Sequence, residues 1–294
     1  MPEGHTLHRL ADELTATFAG RVVRAGSPQG RFADSAALVD GQVLVGAEAW
    51  GKQLFVEFPG ERYVHIHLGL YGKLDVRTGV PEVPPAVGQV RLRLVAGGDR
   101  SWSYADLRGA TVCALVTGEE RDAVVARSGP DPLRADADPD RAWQRIRRSR
   151  APVGGLLMDQ SVLAGVGNVY RAEVLFRHRI DPMRPGNTLR RGQWQAMWDD
   201  LVELMHEGVR TGRIDTVRPE HTPEAMGRPP RRDDHGGEVY AYRRTGQPCL
   251  VCGAAIRTTE LQGRNLFWCP RCQRRFRSRV ATVRPPTDQR TEDA

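Results

Sequence analysis

Long apolar runs are absent from this chain of 294 residues, so no segment is expected to cross a membrane. The first residues also lack the basic start and the apolar stretch of a secretory signal. Cysteine is scarce, and four of the five cysteines form two close pairs that are typical of metal ligands rather than disulfides. These absences favour a soluble protein in a reducing cytoplasm.

Lysine is almost absent as well, because Lys52 and Lys73 are the only two and the other 41 basic residues are arginines. The net charge of +7 and the pI near 9.5 favour a polyanionic partner. Arginine suits bidentate contacts with phosphate, although a GC-rich genome produces the same bias. The lysine kept in WGKQL indicates that a compact amine, able to lose its proton, is wanted there.

The spacing of apolar residues predicts two halves. It is helical over residues 4–19, where Leu7, Leu10, Leu14 and Phe18 recur. Between residues 20 and 118 the period is two, in segments such as QVLVGAEAW, YVHIHL and QVRLRLVA, which predicts a sheet sandwich or barrel. The Pro- and Asp-rich segment GPDPLRADADPD marks a domain boundary.

Helical spacing follows from Arg141 to Arg213, and its last helix carries an apolar stripe that we expect to be core. The stripe comprises Trp194, Met197, Trp198, Leu201, Leu204 and Met205. A Pro-, Gly- and charge-rich stretch over 215–237 predicts a mobile loop, and the polar end of the chain predicts a disordered tail.

The motifs CLVC and CPRC, separated by sixteen residues, predict a closed tetrahedral zinc site with a structural role. Its ligands are Cys249, Cys252, Cys269 and Cys272. Between the motifs, Gly263 permits a tight turn, and Arg264 would project from the tip of a two-stranded hairpin. It could address a phosphate there or remain a solvated charge. Cys113, in an apolar strand pattern, is expected to be a small buried residue.

Two further segments are weak signals when taken singly and become informative only together with the other motifs. In AGVGNVYRAE a Gly-rich turn precedes a helix, which creates a site for phosphate, and Asn168 adds an amide donor. Most such turns only join helices. At the start, MPEGH places proline behind the initiator. Removal of Met1 would give Pro2 a free secondary amine, although proline is also simply comfortable near a helix start.

In this order, PEG, WGKQL, HLGLYG, LLMDQSVLAGVGNVYRAEVLF and CLVC…GRN…CPRC resemble the formamidopyrimidine-DNA glycosylase and endonuclease VIII family of bacterial base-excision repair enzymes, over residues 2–273. The resemblance implies an α+β multidomain monomer that binds damaged DNA in a cleft between its halves. The implied parts are an N-terminal β-sandwich with an N-terminal helix (2–128), a helix-two-turn-helix domain (129–238), a zinc-finger β-hairpin (239–275) and a disordered tail (276–294).

The resemblance also implies roles for single residues. Pro2 would attack the anomeric carbon of the sugar and form a Schiff base, which permits strand cleavage by β or β,δ elimination. Glu3 would donate a proton to the ring oxygen, and Lys52 would protonate or hold the sugar-phosphate. Asn168 and Arg264 would clamp phosphates beside the flipped nucleotide, with Arg264 assisting catalysis. From the residues alone, Glu3 can equally be a helix-start acid.

The segment HLGLYG discriminates within the family. Leu70 and Tyr71 at a turn suit a wedge that fills the gap left by an extruded base, with His67 near backbone phosphate or under the turn. Consecutive Leu-Tyr resembles the endonuclease VIII branch, and DLRGA lacks the aromatic residue of the other branch's Arg-Arg-Phe-Gly stretch. We therefore expect oxidised pyrimidines to be preferred, with an 8-oxoguanine or formamidopyrimidine preference as the alternative.

Two positions depart from the family. Thr6 stands where many members have glutamate near the amine, and Gly69 replaces a polar wedge residue of some endonuclease VIII proteins. Thr6 keeps open a damaged-DNA-binding protein that does not cut, although the retained Pro2, Glu3 and Lys52 argue against it. Gly69 predicts looser recognition of the base opposite the lesion. A lyase that cuts abasic sites without releasing bases is a third alternative. His65 and His67 share a strand face, but we expect His65 to be a satisfied strand histidine rather than a metal ligand.

Overall fold

The structure is a computed structural model that describes residues 2–98, 101–232 and 237–277. Its helices are α1 Gly4–Phe18, α2 Ala33–Ala37, α3 Gly118–Arg127, α4 Pro139–Ile146, α5 Val153–Leu156, α6 Asn168–Arg177, α7 Arg191–Thr211 and α8 Pro223–Met226. Its strands are β1 Val22–Gly26, β2 Gln42–Val43, β3 Gly46–Trp50, β4 Gln53–Phe58, β5 Arg62–His67, β6 Lys73–Val80, β7 Val90–Gly98, β8 Ser101–Arg108, β9 Val112–Thr117, β10 Arg257–Leu261 and β11 Arg264–Trp268. Short 3₁₀ turns cover Gly186–Thr188 and Pro219–His221.

The N-terminal half is a sandwich of two antiparallel sheets. One has the strand order β2-β1-β7-β8-β6 and the other β3-β4-β5-β9. A single cluster of buried apolar side chains draws on both sheets and on α1, with Phe18, Leu54 and Leu92 among its members. Alternation along β7 buries every second side chain in this core. The predicted β-sandwich with its N-terminal helix is confirmed.

The strand pattern predicts neither β1 nor β8, and it joins two strands that the structure separates. The segment QVLVGAEAW was predicted as one strand, but β2 ends at Val43 and β3 begins at Gly46 in the opposite sheet. Strand β8 was not predicted, because its buried face includes polar residues. Asp106 is 1 % exposed on that strand, and its carboxylate pairs with the guanidinium groups of Arg93 and Arg108.

The C-terminal half has its own core, built on α4, α6 and α7. The predicted stripe on α7 is buried in that core, as expected. The segment VGGLLMDQS forms only the four-residue helix α5. The buried carboxylate of Glu173 on α6 accepts hydrogen bonds from Thr216 and from the backbone N–H groups of residues 240–242. This carboxylate therefore anchors the chain that leads into the finger.

The predicted mobile loop at 215–237 contains the 3₁₀ turn and α8, and residues 233–236 lie outside the described residues. Beyond it, β10 and β11 pair through the turn Gln262–Gly263, with φ of 53° and 70°. The tail expected from residue 276 lies outside the described residues from 278 onward. None of the helices in the described ranges combines the length and apolarity that crossing a bilayer requires.

Candidate active site

The two halves meet where the first residues of the chain touch the turn before α6. The N–H of Gly4 donates a hydrogen bond of 2.8 Å to the Gly165 carbonyl. A methyl group at Gly4 would lie 2.8 Å from Gly165 Cα, and one at Gly51 would lie 2.8 Å from Ala164 Cβ. Glycine is required at these positions because the backbones approach too closely for any side chain.

Glu3 fixes this junction from inside. Its carboxylate, which is fully buried, accepts N–H bonds of 2.8 Å from Gly167 and 2.7 Å from Val169. These groups belong to the first turn of α6, where a negative charge is favoured by the helix dipole. Glu3 therefore holds the neighbouring Pro2 at the mouth of this junction.

Asp131, in the segment between the halves, was missed by the sequence analysis. It is fully buried, and its Oδ2 accepts the N–H of Gly51 at 2.6 Å and lies 2.6 Å from His8 Nε2. The indole of Trp50 adds a hydrogen bond of 3.0 Å to the Gly129 carbonyl. Together these bonds join α1 and the β3–β4 turn to the connecting segment. They fix the orientation of the turn that carries Lys52.

A cleft of about 580 Å³ opens between the halves, and all three parts of the chain line it. The N-terminal half contributes Pro2, Lys52, His67 and Leu70. The finger contributes Arg264, and the helical half contributes Arg171. The structure thus brings together five residues that the sequence analysis placed in one site, although up to 262 positions separate them.

Lys52 has an unusual electrostatic environment in this cleft. Burial lowers the pKa of its ammonium group, and Arg264 and Arg171 lower it further, whereas the carboxylate of Glu3 opposes them. An amine in such a place gives up its proton more readily than an exposed lysine. Lys52 is therefore suited to exchanging protons with a bound substrate.

Asn168 and Arg171 act as one unit at the start of α6. Asn168 is 6 % exposed, and its side-chain oxygen accepts a hydrogen bond from the Arg171 guanidinium. Arg171 also donates to the carbonyls of Gly154, at 3.3 Å, and Asn265, at 3.1 Å. It therefore bridges the helical half to the finger, a role that no sequence motif indicated. Burial lowers the pKa of Arg171 to about 10.

The segment HLGLYG forms a tight turn between β5 and β6. We name residues 68–72 the wedge turn. Its ends are closed by a hydrogen bond of 2.9 Å from Gly72 N–H to the Leu68 carbonyl. Leu70 is 39 % exposed and Tyr71 is 89 % exposed, so two large apolar side chains face solvent at its tip. His67 supports the turn, because its Nδ1 accepts the Gly69 N–H at 3.1 Å.

The four predicted cysteines converge, with all their Sγ atoms within 4.8 Å of one another. The Sγ atoms of Cys249 and Cys272 are 3.9 Å apart, and those of Cys252 and Cys269 are 3.5 Å apart. A tetrahedral zinc ion with Zn–S bonds of about 2.3 Å separates its ligands by about 3.8 Å, so the thiolates fit zinc. The Gln273 side chain ties the site to the Ile180 carbonyl at 3.0 Å. One structural zinc, as predicted, is confirmed.

Four further polar residues, His5, Thr6, His65 and Cys113, do not line the cleft. His65 Nε2 lies 2.8 Å from Gln53 Oε1 and its ring stacks on Phe55, as expected for a satisfied strand histidine. Burial lowers the pKa of His65 to about 4 and that of His5 to about 3. Cys113 is half-buried rather than fully buried. Thr6, the first departure from the family, lies 3.3 Å from His5 Nε2 through its hydroxyl.

Comparison with known proteins agrees with this architecture. Residues 1–113 match the formamidopyrimidine-DNA glycosylase N-terminal domain, residues 128–219 the H2TH domain of the same enzymes, and residues 246–275 the zinc finger found in FPG and IleRS. Endonuclease 8 1 of Mycobacterium tuberculosis is 54 % identical over 275 residues, which cover 93 % of this chain and all of that protein. Endonuclease 8 of Pectobacterium carotovorum is 29 % identical with the same coverage.

Among solved structures, the formamidopyrimidine-DNA glycosylase of Lactococcus lactis bound to DNA with an abasic site has the same fold, with a TM-score of 0.71 at 23 % identity over 93 % of this chain and 100 % of that one. Fold and site together define a DNA glycosylase of base-excision repair. The chain belongs to the formamidopyrimidine-DNA glycosylase and endonuclease VIII family. The family and the enzyme class expected from the sequence are confirmed.

Proposed function

We propose that the protein removes oxidised bases, preferably pyrimidines, from DNA through a Schiff base on Pro2 and then cleaves the strand by β or β,δ elimination. The observation that carries this proposal is the position of Pro2 on the wall of a cleft shared with Lys52 and Arg264. One chain supplies every group required, so a monomer suffices. The chemistry requires removal of Met1, which lies outside the described residues.

The amine of Pro2 is the nucleophile in this reaction. An α-amino group titrates near ~8, so a useful fraction is unprotonated at neutral pH. Attack of the secondary amine on the anomeric carbon expels the damaged base. The nitrogen then loses its proton, and cleavage of the bond between the anomeric carbon and the ring oxygen leaves an iminium that is already cationic. The iminium draws electrons from the sugar, which makes the neighbouring proton acidic and permits elimination. The four zinc thiolates form a closed set at the base of the finger, which leaves the zinc ion no open position for a substrate.

The surrounding residues position the sugar and move protons. Glu3 holds Pro2 through its bonds to α6, and we assign it the proton that the sugar ring oxygen gains as the ring opens. Lys52, with its lowered pKa, exchanges a proton with the sugar-phosphate. Arg264, exposed at the finger tip, and the Asn168 amide are the proposed contacts for the phosphates beside the flipped nucleotide.

The preference for pyrimidines rests on the wedge turn. Leu70 and Tyr71 present the consecutive Leu-Tyr pair of the endonuclease VIII branch, and two relatives reported above are named Endonuclease 8. The test is single-turnover excision on three duplexes that carry thymine glycol, 8-oxoguanine or an abasic site. We expect thymine glycol to be excised about tenfold faster than 8-oxoguanine, a ratio within reach of pocket discrimination.

Each of the other possible results would support a different function. Faster excision of 8-oxoguanine would assign the protein to the formamidopyrimidine preference. Cleavage of the abasic duplex alone would leave a lyase that releases no base. Tight binding without any cleavage, by protein shown to begin at Pro2 and to contain zinc, would leave a damage-binding protein.

A further inference from the structure

The outer face of the sheet β2-β1-β7-β8-β6 carries its side chains in rows that run across the strands. Directly paired residues of antiparallel strands place their side chains on the same face of a sheet. The row at the end of β6 away from the wedge turn is apolar, and we name it the apolar row. It comprises Val43, Val22, Gly97, Trp102 and Val80.

The apolar row is open to solvent. Val22 is 59 % exposed and Val43 is 38 % exposed, although they are directly paired. A methyl group at Gly97 would overlap the ring of Trp102, so the indole lies over the backbone of β7 where glycine leaves room for it. Exposed large apolar residues that adjoin one another mark an interaction site on a protein surface.

The next row places a positive charge on either side of an apolar centre. It comprises Arg24, Val95, Tyr104 and Arg77, in that order across the sheet. Among the residues that the structure describes, Arg24 has no ion-pair partner, and Arg77 donates only to the carbonyl of Val76, at 3.3 Å. Three strand spacings separate the two arginine positions, which is about 14 Å.

A third row is charged, and the loop over residues 81–89 covers it. In this row Arg93 is paired with Asp106. The guanidinium of Arg93 also donates to the carbonyl of Pro84 at 2.7 Å, and that of Arg108 donates to the carbonyl of Val87 at 3.1 Å. The loop is therefore anchored over the charged row and leaves the other two rows open.

A groove of about 540 Å³ lies between this loop and β1. Val95 and Trp102 line it from the sheet, and Val83 lines it from the loop. Pockets that bind ligands have volumes of about 300–1,000 Å³, so the groove can accept several side chains. The open rows thus offer apolar contacts, a groove and two arginines, which are features of protein interfaces.

We propose that this face docks an extended, acidic segment of a partner protein. In an extended segment every second side chain points to the same side, and four residues span about 13 Å. Carboxylates four positions apart therefore reach Arg24 and Arg77 together, and the side chain midway between them meets Val95 and Tyr104. The expected pattern is acidic, any, apolar, any, acidic, and neighbouring apolar side chains of the segment pack on the apolar row.

The charges around the groove favour such a segment over nucleic acid. Asp40 and Glu82 line the groove, and the Asp40 carboxylate accepts the N–H of Ala25 at 2.7 Å. A continuous phosphate backbone would pass close to these carboxylates, whereas a segment with only two charges places them over the arginines. None of the residues in the open rows lines the cleft that contains Pro2, so the inference does not rest on the proposed function.

The test selects binders from a display library of random twelve-residue peptides on the full-length protein. The double variant Arg24→Glu/Arg77→Glu serves for counter-selection, and both arginines are exposed, so the fold should be retained. We expect the recovered peptides to carry the acidic-apolar-acidic pattern. Synthetic copies should bind each single variant about threefold to tenfold more weakly than wild type, and the double variant at least about tenfold more weakly.

Two further measurements separate the charge contacts from the apolar contact. Glu82→Gln should strengthen peptide binding by about twofold to fivefold, because it removes a repulsive charge beside the groove. Replacement of the central apolar residue of the peptide by serine should abolish measurable binding. Arg127→Glu is the matched control, because Arg127 is exposed on α3, which packs on β5 and β9 of the other sheet. It should leave peptide binding unchanged.

Three results would overturn the inference. The first is a selection that enriches no peptide, and the second is an enriched peptide that binds wild type and the double variant equally well. The third concerns duplex DNA that carries an uncleavable abasic analogue, which the double variant should bind within about twofold of wild type. A loss of duplex binding equal to the loss of peptide binding would assign the face to nucleic acid.

Discussion

Two turns line the cleft, and they are held in place by different forces. The wedge turn stands on the sandwich core, because Leu68 at its start is 2 % exposed and belongs to the apolar cluster of both sheets. The finger tip, residues 261–264, stands on a short hairpin whose base is the cluster of four thiolates. One wall of the cleft therefore depends on apolar burial alone, whereas the other depends on a metal ion as well as on the buried side chains of Ile256 and Phe267.

Removal of zinc should separate the behaviour of the two walls most strongly. A small metal-held hairpin loses its fold without its ion, whereas the sandwich has an independent core. We expect chelation to expose the amides of β10 and β11 to hydrogen exchange while β4 and β5 stay protected. Excision should fall by at least about a hundredfold, because Arg264 is no longer positioned.

Hydrogen exchange by mass spectrometry resolves the two regions, and re-addition of zinc is the control. Restored protection and activity would show that the loss came from the metal alone. Loss of protection in both regions would contradict the conclusion that the sandwich strands keep their fold without zinc.

Arg264→Gln tests the electrostatic link between the finger tip and Lys52 on the opposite wall. Burial and the charge of Arg264 both lower the pKa of Lys52. Without that charge the pKa of Lys52 rises, so its ammonium form persists to higher pH. The alkaline fall of kcat/KM should therefore shift to higher pH, while the maximum drops by about tenfold to a hundredfold through the lost phosphate contact.

Arg257→Gln provides the control for this prediction, since Arg257 is an exposed arginine of the same hairpin outside the cleft. It should change neither the rate nor the pH profile. A profile that stays in place in Arg264→Gln would mean that Lys52 does not govern the alkaline limb.

Tyr71→Ala tests the wedge turn and has the smallest expected effect. The ring is 89 % exposed, so the free energy of unfolding should change by less than about 0.5 kcal/mol. Excision from duplex DNA should fall about tenfold, the loss expected for one stacking contact, and excision from single strands should fall less. Val87→Ala, at a residue 74 % exposed on the loop between β6 and β7, is the matched control. An unchanged duplex rate would contradict a wedge at Tyr71.

Features that depend on a short stretch of chain could be predicted from the sequence. The zinc ligands and the finger tip could be predicted because the two C-x2-C pairs lie close together in the sequence. The α1 helix and the α7 stripe followed from local periodicity. Strand β8 could not be predicted, because a buried aspartate breaks the apolar alternation. Asp106 is tolerated there because arginines neutralise it, and one of them, Arg93, lies on another strand.

Parts of the site depend on contacts between distant residues and could not be predicted. Asp131 reads as a loop residue, yet it is buried between His8 and Gly51. Arg171 reads as one more arginine in a chain rich in them, yet it bridges α6 to the finger. A methyl group at Gly69 would overlap the hydroxyl of Thr111, a contact that arises only because the fold brings the wedge turn beside the start of β9.

In the proposed reaction the amine of Pro2 performs the chemistry. The most direct test is borohydride trapping on duplexes that carry thymine glycol or an abasic site, followed by mass mapping of the cross-linked peptide. A variant with one extra residue before Pro2, which converts the amine to an amide, is the control. We predict an adduct on Pro2 with both duplexes and none in the control. An adduct on Lys52, or trapping that survives the extra residue, would contradict the account.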